Sequence, residues 1–310
     1  MDYKILHNLA PGEYEHPYDQ KALDALQATR GIDTVVRKFH EYGIEKIFTI
    51  QITGSNISVT PASFPGIYAI FEKSLEILNL SIPPDVYIYR SDDELQGFTT
   101  GVEHPIISLS HGSIESFDEE ELLFVIGREI GHIKSKHVLY YEIGAVLPLL
   151  SDIFAGATLG LSSLISMGLQ IALLNWKRMA EYTADRAGLL ACQNVDAATS
   201  ALSKIAGLPN THYDQFNTEH FVRQAKSYQG FEAGGYNKAI KYISLMFGDQ
   251  HWTIDRTNEL YKWIDSGDYQ RVLDRKTEFR LLPKAEDKCY NCGSKIRKNS
   301  ISCDHCGILL

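Results

Sequence analysis

Apolar positions recur at helical spacing along much of the chain, and the clearest run follows a cluster of acids at Asp118 to Glu121. Leu122, Phe124, Val125 and Ile126 supply the apolar surface, Ser116 or Asp118 can cap the run, and the acids suit the positive end of a helix. The pattern predicts one helix from Asp118 to Glu142 and a second over Asn175 to Cys192. Helices are also expected near Gln20 to Thr29, Thr34 to Tyr42, Ile67 to Leu80 and Trp252 to Ile264, with Pro209 to Asn217 as a polar loop. Strands are expected at Lys46 to Ile52, Val86 to Arg90 and Pro105 to Ser110. The fold class read from this order is α+β, mostly α, with a small sheet.

From Ile143 to Trp176 only Asp152 carries a charge, which meets the length criterion for a membrane span of about 20 residues. A single crossing would separate the two long helical runs by a bilayer, and two crossings need about 40 residues plus a turn where 34 are present. Pro148, glycines 144, 156, 160 and 168 and several serines suit close helix packing. The segment therefore reads as a buried or membrane-resting helical hairpin, and peripheral membrane contact stays open.

At 310 residues and 44% apolar content the chain can bury a substantial core. The expected division is an N-terminal extension over 1–60 wrapped on a main domain over 61–280, then a small appendage over 286–310. A formal charge of -9 disfavours a general nucleic-acid binder, because phosphate would be repelled. The many Tyr and Phe residues read as core aromatics, and no repeat or low-complexity tract appears.

The chemistry concentrates in Gly127-Arg128-Glu129-Ile130-Gly131-His132. A metal-assisted peptidase places two histidines four residues apart on one helical face so that both reach one Zn²⁺, with a glutamate between them as general base. Here the first of those positions is Arg128, whose guanidinium has no lone pair to give a metal. Glu181 and Asp185, four residues apart on the second helical run, share a face: the glutamate suits a metal ligand, and the aspartate suits the group that holds a ligand histidine. His137 on a straight helix lies about half a turn from the face of Arg128 and His132, so it is a poor replacement ligand, and nothing in the spacing of His104 and His111 requires them to approach.

The run Ile126 to His137, then Ala180 to Gly188, resembles the HtpX-like and CAAX-prenyl-endopeptidase family of gluzincin metallopeptidases over roughly residues 60 to 265. Phe98 to Gly101 and Pro105 to Ser110 look like that family's strand before the active-site helix. The resemblance implies a zincin-type domain in which His132 and Glu181 are zinc ligands, Glu129 the general base and Asp185 the orienting partner, with Arg128 in the missing ligand's place. It also implies a histidine that steadies the transition state near residue 250. Aligning on Arg256 puts Gln250 at that position and His251 where a proline is usual, so His251 serves only after a one-residue shift. Zincins can pair an extended substrate with a strand beside the cleft, and Pro105 to Ser110 is the strand expected to accept it.

With no metal in the cleft, three carboxylates would crowd it, and Arg128 is expected to pair with Asp185 or Glu181. Two ligands are too few for a tight catalytic zinc, so Zn²⁺ at this site is doubtful on the donor set alone. Cys289, Cys292, Cys303 and Cys306 form two Cys-x-x-Cys knuckles ten residues apart, each followed by glycine, a zinc-ribbon pattern for one structural Zn²⁺. The N-terminus carries no signal-peptide pattern, so metal is expected there in preference to disulfides, in a cytoplasmic protein. Five basic residues between Lys284 and Lys298 face Glu286 and Asp287, a mild excess that fits a docking or structural knob better than nucleic acid. Cys192 reads as an inert core thiol.

Two functions follow as expectations. One is a zinc metalloendopeptidase whose centre is impaired by Arg128. The other is a pseudoprotease or scaffold that binds peptides or protein partners through the cleft and the ribbon.

Overall fold

The structure is a computed structural model in which residues 3–91, 95–156, 163–228 and 252–275 are described. His251 and the four ribbon cysteines lie outside the described residues. The helices are α1 (Pro17–Gln27), α2 (Ile32–Glu41), α3 (Ile44–Ser55), α4 (Pro65–Leu78), α5 (His111–Ser116), α6 (Glu119–Lys134), α7 (Val138–Gly156), α8 (Ser163–Cys192), α9 (Val195–Ile205), α10 (Thr218–Ser227), α11 (Thr253–Asp265) and α12 (Asp268–Leu273). Strands β1 (Ile57–Ser58), β2 (Asp85–Tyr89), β3 (Gly97–Thr100) and β4 (Ile106–Ser110) form one mixed sheet in the order β1-β2-β4-β3.

The motif helix forms for the reasons its sequence suggests. Asp118 accepts a hydrogen bond from the Glu121 amide while the Glu121 carboxylate takes the Asp118 amide, a reciprocal cap, with three acids in the first turn. Residues Glu121 to His132 are all buried because α6 runs through the middle of the molecule, against α8 on one side and the sheet and α4 on others.

Three glycines set how closely α6 and α8 approach. A Cβ at Gly127 would stand 2.3 Å from the Ala191 Cβ, and one at Gly131 would stand 2.5 Å from the Ala187 Cβ. A Cβ at Gly188 would meet the Phe124 carbonyl oxygen at 2.7 Å. This contact brings the motif residues of the two helices into one place.

The sheet corrects two expectations. Lys46 to Ile52 is not a strand but part of α3, where Ile44, Phe48 and Ile52 recur every fourth residue and make a helical face; Ile44 and Phe48 pack with α2, α7 and α8. The neighbour of β2 on that side is β1 instead, antiparallel with Ile57 opposite Ile88. Pro105 to Ser110 is not an edge either. Its strand, β4, pairs in parallel with β2 and antiparallel with β3, so the edge beside α6 is β3.

The expected single helix from Asp118 to Glu142 is broken. α6 ends at Lys134 with Ser135 as its cap, Lys136 takes the left-handed conformation (φ 59°), and the His137 amide donates to the His132 carbonyl at 2.9 Å before α7 starts. The N-terminal residues are integral to the core: Leu6, Leu9 and Tyr14 are buried with α4, α6 and α8, while α1 and α2 cover the bases of α7 and α8 through Leu26, Val35, Phe39, Ile143, Leu147, Leu169 and Trp176. α8 is one continuous helix of 30 residues, longer than its apolar pattern suggests, and packs on α7. Among the described residues no helix is long and apolar enough to cross a membrane.

Gly127→Ala should lower stability by about 1–3 kcal/mol, since both backbones would have to part to admit one methyl. Urea unfolding of the two proteins measures the difference; equal midpoints would contradict the packing described.

Candidate functional site

Arg128 projects from α6 toward α8 and is 3% exposed. Its Nε donates to Asp185 Oδ1 at 2.8 Å and its terminal nitrogen donates to Glu181 Oε2, so the guanidinium fork holds both acids of α8 at once. Arg256, from α11, reaches the same aspartate from the other side. Its Nε donates to Asp185 Oδ2 at 2.8 Å, its terminal nitrogen donates to Oδ1 at 2.6 Å, and another nitrogen lies 3.8 Å from Glu181. Asp185 is fully buried and Arg256 nearly so. Two guanidinium groups thus face two carboxylates, and their charges balance.

Glu181 is the member that opens outward, with 19% of its side chain exposed. Burial alone would raise its pKa, but Arg128 and Arg256 outweigh that and hold the carboxyl well below the usual range. The Tyr141 hydroxyl donates to its other oxygen, Oε1. Tyr141 itself is pushed well above the usual phenol value by burial and by that carboxylate.

Glu129 has no such balance. Its Oε2 accepts from the Thr99 hydroxyl of β3 at 2.9 Å, while the nearest guanidinium nitrogen of Arg128 is 3.9 Å away. Burial pushes its carboxyl up to about 7, with Glu181 adding to the rise against the pull of Arg128.

His132 lies on the same side, its Nε2 3.8 Å from Glu181 Oε1, and burial lowers its pKa to about 3. Its Nδ1 is 2.9 Å from Nδ1 of His137, whose Nε2 is 2.9 Å from Asp19 Oδ2. The expectation that His137 points away from the site is therefore corrected: it assumed a straight helix, and the turn at Lys136 folds the imidazole back onto His132.

The structure brings together Arg128, Glu129, His132, Glu181 and Asp185, as the spacing suggests. Sequence reading missed Tyr141, Thr99, Asp19 and His137 as neighbours of the site, and used Arg256 only as an alignment mark. His111 pairs with Glu115 (3.2 Å) on an exposed turn.

The donor set does not fit a catalytic zinc. His132 and Glu181 offer two ligands where such centres use three, and the remaining position is filled by a cation with no lone pair. Among the described residues no group of three or more His, Cys, Asp or Glu side chains is arranged to hold a metal ion.

Beside these residues runs β3, the last strand of the sheet among the described residues. The Ser110 amide donates to the Gln96 carbonyl at 3.0 Å, so by antiparallel alternation residues 98 and 100 also face β4, and Gly97 and Thr99 turn their backbone groups the other way. At the far end of the strand, Glu142 of α7 accepts from the Gly101 amide (2.7 Å) and from the Thr100 hydroxyl.

Comparison with known proteins agrees with the motif. Residues 61–260 match the family described as Peptidase family M48. The chain is 26% identical to the plastoglobule-localized metallopeptidase 48, chloroplastic, of Arabidopsis thaliana over 90% of this chain and 80% of that protein. Two relatives described as "Protease HtpX homolog", from Desulforapulum autotrophicum and Thermodesulfovibrio yellowstonii, are each 27% identical over 47% of this chain, which spans 55% and 60% of their lengths. No solved structure matches the chain.

The raised Glu129 carboxyl gives a pH test. Between the ordinary value of 4.5 and about 7 the folded protein keeps a proton that the unfolded chain has lost, so this group's contribution to stability falls as pH rises through that window. Glu129→Gln keeps an acceptor for Thr99 and removes the titration. Its stability relative to the parent should improve from pH 4.5 to 7 by on the order of 2–3 kcal/mol in urea unfolding; parallel pH profiles would contradict the burial of an isolated carboxylate.

Proposed function

The chain belongs to peptidase family M48, and we propose that its peptidase centre is impaired because Arg128 stands where a zinc ligand is needed, leaving a cleft that binds extended polypeptide. The observation that carries this is the two-pronged grip of Arg128 on Glu181 and Asp185. In a zinc peptidase the glutamate would face the ion and the aspartate would hold the first histidine; here one guanidinium takes both acids. The loss falls on chemistry, because Glu129 has no metal-polarised water to deprotonate and is itself pushed toward its protonated form.

Peptide binding draws on parts that the substitution leaves alone. The backbone groups of Gly97 and Thr99 on β3 turn away from β4 next to Glu129, and strand addition at such an edge needs main-chain hydrogen bonds and no metal. The partners are therefore proteins or peptides in extended conformation. Structural zinc is assigned by the same reading to Cys289, Cys292, Cys303 and Cys306, whose spacing suits a closed tetrahedral site. His251 is the residue proposed to steady the transition state, through a one-residue shift in the alignment. A position in the cytoplasm, with contact to a lipid surface through the 143–176 segment, completes the proposal. The relative named for plastoglobules and the exposed Ile47 and Ile50 of α3 favour the lipid contact.

The test is restoration. The parent protein should bind one zinc per chain and cleave casein no faster than its own Glu129→Gln variant, while both bind casein-derived peptides. Arg128→His should take up a second zinc and gain cleavage that Glu129→Gln abolishes in the same chain. Zinc-dependent proteolysis by the parent protein, lost in Glu129→Gln, would overturn the reading.

A further inference from the structure

Glu142 of α7 lies outside the motif and takes no part in the charge balance around Asp185, yet it is only 3% exposed. Its Oε1 accepts from the Gly101 amide at 2.7 Å and from the Thr100 hydroxyl, while its Oε2 is buried with no hydrogen-bond partner. Other buried acids have a cation: Glu121 has Lys204 at 2.6 Å, Asp255 has Arg178, and Asp185 has two arginines. Glu142 has none among the described residues. Burial raises its pKa against the pull of its two hydrogen bonds, and the charged side chain that acts on it, Glu45 of α3, is another acid and adds to the rise. A buried carboxylate without a counter-charge is costly, so the position calls for a cation.

Its place along β3 says which cation. Residues 96, 98 and 100 face β4, so the backbone groups of Gly97, Thr99 and the Gly101 amide point the other way. A strand laid along that side can pair with Gly97 and Thr99, but the amide that would serve it next is already taken by Glu142. Gly101 itself turns (φ 86°), and a Cβ there would stand 2.2 Å from the His104 carbonyl oxygen, so β3 ends where the carboxylate stands. Both oxygens of a carboxylate hang on one carbon, which puts Oε2 at this same end. An added chain therefore stops opposite Thr100. Running antiparallel to β3 it brings its amino terminus to Glu142; running parallel it brings a terminal carboxylate, which Glu142 and Glu45 repel.

We infer that Glu142 closes the cleft at the end of β3 and selects the α-ammonium of an extended polypeptide, so that the chain is held by its amino terminus with Glu129 beside its first residues. The inference rests on the proposed strand addition to β3. Because Oε2 has almost no exposed surface, admitting the ammonium requires a shift of the adjoining turn, in which Val102, Glu103 and His104 are exposed.

The test is fluorescence anisotropy of the full-length protein with a casein-derived peptide labelled at its carboxyl end, its amino terminus either unmodified or acetylated. The parent should hold the unmodified peptide about tenfold more tightly than the acetylated one. Glu142→Gln, which keeps an acceptor for Gly101 and Thr100 and loses the charge, should bind both with the weaker affinity, whereas Glu103→Gln, at an exposed acid of the same turn, should keep the preference. If Glu142→Gln does not fold, the parent comparison decides. Equal affinities in the parent, or a preference that survives Glu142→Gln, overturn the inference and leave the cleft reading standing. Tight binding regained by an acetylated peptide that starts with lysine overturns the assignment to the amino terminus. If neither peptide binds, the cleft reading falls and the inference with it.

Discussion

Asp185 is a fully buried carboxylate gripped by two guanidinium groups, and the arrangement of the cleft follows from how that charge is satisfied. A buried acid that loses its partner is strongly destabilising, by about 3–5 kcal/mol for a broken buried pair. Here Arg128 supplies both the hydrogen bond to the aspartate and the positive charge for Glu181. One guanidinium satisfies both acids, which explains how they stay packed between α6 and α8 without repelling each other.

The same accounting isolates Glu129. Arg128 and Arg256 are matched by Glu181 and Asp185, so the third acid has only the Thr99 hydroxyl and a distant guanidinium. Burial raises its pKa, Glu181 adds to the rise, and the two guanidinium groups, engaged by the other acids, do not offset it. The tight helix contact at Gly127, Gly131 and Gly188 leaves no freedom to relieve this by separation.

The part of the site that lies on regular helix was legible in the sequence. Arg128, Glu129 and His132 follow from one turn of α6, and Glu181 and Asp185 from one turn of α8, because spacing on a helix fixes direction. His137 was not legible, since its place depends on a left-handed Lys136, and lysine gives no signal for that conformation where glycine or asparagine would. Asp19 and Arg256 reach the site from α1 and α11, far away in the chain, and only tertiary packing brings them in. In the fold, the β-branched run at residues 46–52 suggested a strand, but Ile44, Phe48 and Ile52 form one helical face and the place beside β2 belongs to Ile57 and Ser58. The edge of the sheet was misplaced by one strand because a short strand such as β4 looks the same at an edge and in the middle until its neighbours are known.

The most direct measurement is anomalous diffraction at the zinc edge from crystals of the full chain equilibrated with zinc. The account predicts no anomalous peak between His132 and Glu181, with the Arg128 guanidinium resting on Glu181 and Asp185. A peak within bonding distance of both residues, with Arg128 turned away, would contradict it.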